Sequence, residues 1–185
     1  MQPFRSRARF LLAAASLLGA VLVPASLLNG LIPPWLQPNW LVVCTVYGTV
    51  AFPWRRVVPW IAVGGLLADL YAPQAFGVTA WSALACGLAV HTSARRLLTD
   101  FTLPARLTLG AVGSLTYRAA FVAAGWANQA AFPTPWRLPH GWSTAALATH
   151  LAQVVLEVAV FTALSLVGRR RPWPPDLRAL ANPDL

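Results

Sequence analysis

The sequence predicts an all-α fold: a polytopic membrane bundle of six transmembrane helices with both termini in the cytoplasm. Three observations predict it, namely the composition, the length of the apolar runs and the placement of the arginines. Of 185 residues, 57% are hydrophobic and 10% charged. A soluble domain carries roughly 25% charged residues, so too little charge is present to coat a water-facing surface. The apolar runs outlast a soluble core helix, since about 20 apolar residues cross a hydrocarbon layer of about 30 Å. Nine Trp and sixteen Pro suit helices that stop at interfaces and turn through short, stiff loops.

The first segment, 10–28, follows Arg5, Arg7 and Arg9. A secretory signal begins the same way, and Pro24-Ala25-Ser26 resembles a cleavage site. The apolar run is longer than a signal core, which favours a retained helix. Segments 40–52 and 57–71 flank the turn Pro53-Trp54-Arg55-Arg56. At ~1.5 Å rise per residue both are short for a bilayer, so neighbouring helices are expected to shield their ends. Segments 77–94, 106–126 and 144–167 follow, and Arg169-Arg170-Arg171 closes a single membrane domain over 1–171. Residues 172–185 form a Pro-rich cytoplasmic tail of the kind that stays disordered.

Arginine placement sets the direction. All fourteen basic residues are Arg, and the net charge is +9. A polyanion partner such as nucleic acid would need them on one extended face, but they fall in short clusters between apolar runs. With six alternating helices and the N-terminus inside, the cytoplasmic segments hold Arg55, Arg56, Arg95, Arg96, Arg106 and both terminal clusters. The outer segments hold only Arg137. This is the asymmetry of the positive-inside rule.

Charges within membrane helices are costly, at ~2.5–3.5 kcal/mol or more near the centre, so each calls for a partner. Three stand out: Asp69, Arg118 and Glu157. Counted at ~1.5 Å per residue from the cytoplasmic ends, they lie at a similar height of ~15–18 Å. Arg118 and Glu157 belong to consecutive antiparallel segments, where a direct ion pair is expected, and Asp69 is placed to complete a triad. Two readings follow for this cluster, a packing clamp or a solute or proton site. His150, Gln153 and Glu157 share one helix face at i, i+3 and i+7, a polar stripe suited to helix–helix contact. His91 lies near the cytoplasmic end of its segment, where snorkelling accounts for it. Ala15 and Gly19 have the small-xxx-small spacing of close helix packing.

Catalytic constellations are missing from the sequence, which contains no HExxH, no GxSxG and no Gly-rich phosphate loop after a strand. Five carboxylates exist, with Asp176 and Asp184 in the tail and Asp100 in a cytoplasmic loop beside Arg95 and Arg96, where it is expected to be their solvated partner. Cys44 and Cys86 have no Cys or His at a metal-binding spacing and read as small buried hydrophobes. No enzyme activity, cofactor or metal is expected.

The stretch 38–77 resembles the rod-shape-determining membrane protein family MreD. The residues that carry the resemblance are Pro38-Asn39-Trp40 at the start of a helix, Tyr47 within it, Pro53 and Arg55 at the hairpin turn, Gly65-x-x-x-Asp69, and Gly77 eight residues further on. They cover about a fifth of the chain, and length, helix number and Arg-rich ends fit the rest. The chain departs from the family at Leu70-Tyr71-Ala72-Pro73-Gln74, where small polar residues are common, and after Thr102 only hydropathy matches. Arg118 and Glu157 therefore stand outside the resemblance.

That resemblance implies a non-enzymatic inner-membrane scaffold of the bacterial cell-elongation complex. It would bind the single-pass protein MreC and link MreB filaments to the glycosyltransferase RodA and its penicillin-binding transpeptidase partner. Pro38, Asn39, Trp40, Asp69 and Gly77 would then shape the short hairpin and a partner-facing groove, or Asp69 would simply cap loop amides. A rival of similar fold is the substrate-binding S subunit of an energy-coupling-factor vitamin transporter. In that reading the Asp69–Arg118–Glu157 level encloses a small solute, with Trp81, Tyr117 and Trp126 as walls.

Overall fold

A computed structural model of the chain describes residues 38–71, 76–97, 102–131 and 144–167. The segment 10–28, the tail 172–185, Arg137 and Asp100 lie outside the described residues. Within them the chain is all-helical, with five helices: α1 (Trp40–Ala51), α2 (Trp54–Tyr71), α3 (Val78–Leu97), α4 (Leu103–Ala131) and α5 (Thr144–Val167).

Helix α1 starts where Asn39 caps it, its side-chain Oδ1 accepting from the Leu41 and Val42 amides at 3.1 and 3.4 Å. Asn is among the best residues for this position because its side chain satisfies amides that have no intrahelical partner. The expected turn Pro53-Trp54-Arg55-Arg56 is a correction: only Phe52 and Pro53 separate the helices, and α2 begins at Trp54. The Pro53 carbonyl accepts from the Arg56 and Val57 amides, which starts the helix directly. Arginines in a first turn oppose the helix dipole, so their sequence reads as loop although the backbone is helical. Pro59 consequently sits inside α2.

Two further boundaries move outward. Helix α3 continues through Arg95 and Arg96 to Leu97, with both arginines in its last turn, where positive charge favours the negative end of the dipole. Helix α4 runs 29 residues instead of the expected 106–126, starting at Leu103 with Pro104 in its first turn, where proline is tolerated. The bounds 144–167 coincide with α5.

The short helix α1 lies at the centre and contacts all four other helices. Seven of its residues are buried, among them Val42, Val46 and Val50, and these join Ile61, Cys86, Leu109 and Phe161 in the core. The strongest packing is α3 on α4 and on α2, with α5 on α4. Small residues allow it. A side chain on Gly65 would collide with the backbone of Ala80, and one on Gly113 would collide with Val46 and crowd Val90.

Beside the apolar core, the bundle exposes many large apolar side chains and buries several polar ones. Leu70, Trp81, Leu115, Val155 and Val167 are exposed, whereas Thr45, Ser82, Arg106, Ser114 and Glu157 are buried. Many hydroxyls are satisfied within their own helix: Thr49, Ser82, Thr108 and Thr162 each donate to the carbonyl four residues earlier. Two stretches, Leu103–Asn128 and Leu147–Val167, are long and apolar enough to cross a membrane, and Trp40–Ala51 is apolar but shorter. Membrane association follows from these two helices and the apolar exterior.

Candidate functional site

Two polar constructions stand at the end of the bundle where α1 and α3 begin and α2 finishes. The first belongs to Asp69. Gly65 and Asp69 lie at i and i+4, on one face of α2. Because Gly65 has no side chain, α2 approaches the first turn of α3 closely at Ala80. The Asp69 carboxylate then reaches over the start of α3, where Oδ1 accepts from the Thr79 amide at 2.9 Å. Oδ2 accepts from the amides of Gly77 at 3.0 Å and Ala80 at 3.1 Å. First-turn amides have no intrahelical acceptor, and a carboxylate there also meets the positive end of the dipole. Gly77 adopts φ +92°, a conformation that side chains with a Cβ rarely adopt, and its carbonyl accepts the Trp81 amide to open α3. Gly65, Asp69 and Gly77 thus form one lock between α2 and α3.

The second construction is an ion pair. Arg118 on α4 meets Glu157 on α5 in a two-pronged contact, Nη1 to Oε2 at 2.8 Å and Nη2 to Oε1 at 2.9 Å. The paired geometry suits the planar guanidinium and is stronger than a neutral hydrogen bond. Arg118 Nη1 also donates to the Ser114 carbonyl at 3.2 Å, and Nη2 reaches Gln153 Oε1 at 3.5 Å. Glu157 is 1% exposed, and its Oε1 accepts from the Asn39 backbone amide at 3.1 Å. The start of α1 is therefore fastened to the α4–α5 pair.

Asp69 does not join that pair, since its oxygens are taken by the α3 amides. The cluster expected from sequence divides into a clamp, Arg118–Glu157, and a cap, Asp69. Tyr117 connects them. It is buried, its ring stacks on Phe121, and Asn39, Thr79 and Asp69 lie near its hydroxyl. The role of Tyr117 is not legible from sequence, because a lone Tyr in an apolar run looks like core. The capping by Asn39 was accessible: an Asn directly before an apolar run is a helix-start signal.

The other expected residues are placed as follows. Trp40 is half-buried at the start of α1, and Pro38 precedes the cap. His150 is exposed while Gln153 is half-buried, so the stripe faces inward only from Gln153 to Glu157. His91 stacks on Trp54 with ring centroids 4.8 Å apart, a specific contact in place of simple snorkelling. Trp81 and Trp126 are exposed at 65% and 56%, so of the three aromatic walls imagined for a solute site only Tyr117 faces inward. Among the described residues no group of three metal-ligating side chains occurs, and Cys44 and Cys86 are free thiols. Chemically, the arrangement fixes charges against one another and against backbone amides, and it holds α1 to α4 and α5 and α2 to α3. No protein-family model, curated protein or solved structure matches the chain.

Proposed function

We propose that this chain is a multi-pass inner-membrane scaffold of the bacterial cell-elongation complex, of the MreD type. It binds MreC and links MreB filaments to the RodA glycosyltransferase and its penicillin-binding transpeptidase. The observation that carries the reading is that the motif positions Asn39, Gly65, Asp69 and Gly77 have separate backbone tasks within α1 to α3. Their spacing is then a requirement of geometry, as expected if a family of such proteins presents the same rigid outer end to a partner. An apolar exterior on α2 to α5 supports embedding in lipid, with sideways packing against other membrane helices.

The six-helix, both-ends-inside topology belongs to this proposal. Arg55, Arg56, Arg95 and Arg96 lie at one end of α2 and α3, opposite the end that holds Asp69, as the positive-inside rule requires. The vitamin-transporter reading has less support, because Arg118 and Glu157 satisfy each other and two of its aromatic walls point outward. Depletion in the native bacterium tests the choice. Rounding and lysis, with MreC co-purifying with tagged chain, are expected. Normal rods with failed vitamin uptake would overturn the scaffold.

A further inference from the structure

We propose that the open face of α1 is the docking surface for this chain's own apolar segment 10–28, seated antiparallel to α1 between α2 and α5. The docking rests on the six-helix reading above, in which that segment is a retained membrane helix. It does not depend on the identity of any protein partner.

Helices α2, α3, α4 and α5 pack as successive neighbours, and α1 lies against all four, whereas α2 and α5 touch each other little. The row therefore curves around α1 without closing. Val46 marks the covered side of α1, since a side chain on Gly113 of α4 would collide with it. At about 100° per residue, Trp40, Cys44, Tyr47, Gly48 and Ala51 fall on the opposite side. These five are half-buried, whereas every other residue of α1 is buried. A side chain on Gly48 would meet only Val57 of α2, at an ordinary 3.6 Å, so room remains on this face.

Length and connection point to the occupant. Helix α1 has 12 residues, about 18 Å, against a hydrocarbon layer of about 30 Å. Lipid alone on the open face would leave the ends of α1 turned towards hydrocarbon, and the longer apolar segment 10–28 would cover them. Only residues 29–37 separate that segment from Pro38 at the start of α1, and short connections join antiparallel neighbours. Equal rise sets the register. With Leu28 level with Trp40, Gly19 and Ala20 come beside Gly48, and Val23 comes close to Cys44. Small residues of the segment then oppose small residues of α1, which lets two membrane helices approach closely. A second copy would have to enter between α2 and α5 from outside, whereas the segment is already tethered at the mouth of the opening. Such a tether gives an effective concentration on the order of millimolar.

The full chain carrying C86A, which leaves Cys44 as the one native thiol, tests the docking in membrane vesicles oxidised with copper phenanthroline. V23C is expected to form a disulfide with Cys44, read after denaturation as loss of both thiols to a maleimide mass tag in a band that stays monomeric. V21C and A25C, near the same depth on the opposite face of the segment, should link severalfold more slowly. G48L, which fills the open face, should lower the V23C yield severalfold, and G48A should keep most of it. Should C86A fold poorly, Cys86 can stay and the linked peptide pair be identified by mass spectrometry. No link from V23C, or equal linking from all three positions, would overturn the docking. A dimer joined through Cys44, without the intramolecular link, would also overturn it and give the face to a second copy. Loss of an N-terminal tag from membrane-resident protein would overturn the retained segment and this docking together, whereas a retained segment that leaves Cys44 unlinked overturns this docking alone.

Discussion

Glu157 is the residue on which most of the polar framework converges, accepting from Arg118 and from the Asn39 backbone while almost wholly buried. Removing one side of a buried pair strands the other charge, which costs about 3 kcal/mol or more. E157A should therefore destabilise the protein by about that amount, read as a shift in thermal unfolding in detergent. Adding R118A should recover part of the loss, because the stranded charge is then gone. Strictly additive losses would mean that the contact carries no coupling. Asp69 calls for a different expectation. D69A removes three charge-assisted amide contacts from the start of α3, and a loss of about 2 kcal/mol is expected. No second substitution at Arg118 should relieve it, since the two carboxylates belong to separate constructions.

At the level of elements, glycines decide how closely the helices approach. Gly65 and Gly77 are both part of the α2–α3 lock, yet substitution should act through different physics. A Cβ on Gly65 meets the Ala80 backbone, which cannot swing aside, so G65A must separate α2 from α3 and loosen the Asp69 cap with it. A Cβ on Gly77 meets nothing within 4 Å, and G77A suffers only the conformational penalty of a positive φ, about 1–2 kcal/mol. G65A should therefore lower the unfolding temperature more than G77A. The reverse order would show that backbone conformation, not helix approach, limits the hairpin. Gly113 plays the corresponding part at the meeting of α1, α3 and α4, with Val46 and Val90 against it.

For the molecule as a whole, the exterior decides the surroundings. Many apolar side chains face outward on α2 to α5, while Asp69, Glu157 and several hydroxyls lie inside, most of them hydrogen-bonded there. Such an apolar exterior suits lipid, where packing and internal hydrogen bonds replace the hydrophobic drive. The chain should remain in the membrane pellet through alkaline carbonate. Cys86 is buried and Cys44 half-buried, so both thiols should resist a membrane-impermeant maleimide in sealed vesicles and react only after unfolding. Rapid labelling of Cys44 in intact vesicles would place α1 against an aqueous cavity.

Composition, apolar run length and residue spacing were enough to read helices throughout the described residues and to suggest that Arg118 meets Glu157. These are properties of local pattern, and a rise of about 1.5 Å per residue converts sequence distance directly into distance along a helix. Helix starts were less legible, as at Trp54, because arginines in a first turn resemble a loop and only the Pro53 carbonyl shows otherwise. Whether Asp69 would join the ion pair or cap α3 was undecidable from spacing, since both partners lie within reach of a carboxylate at that height. Tertiary structure decided it: Gly65 lets α2 lie against Ala80, and that contact carries Asp69 over three amides that nothing else in α3 can satisfy.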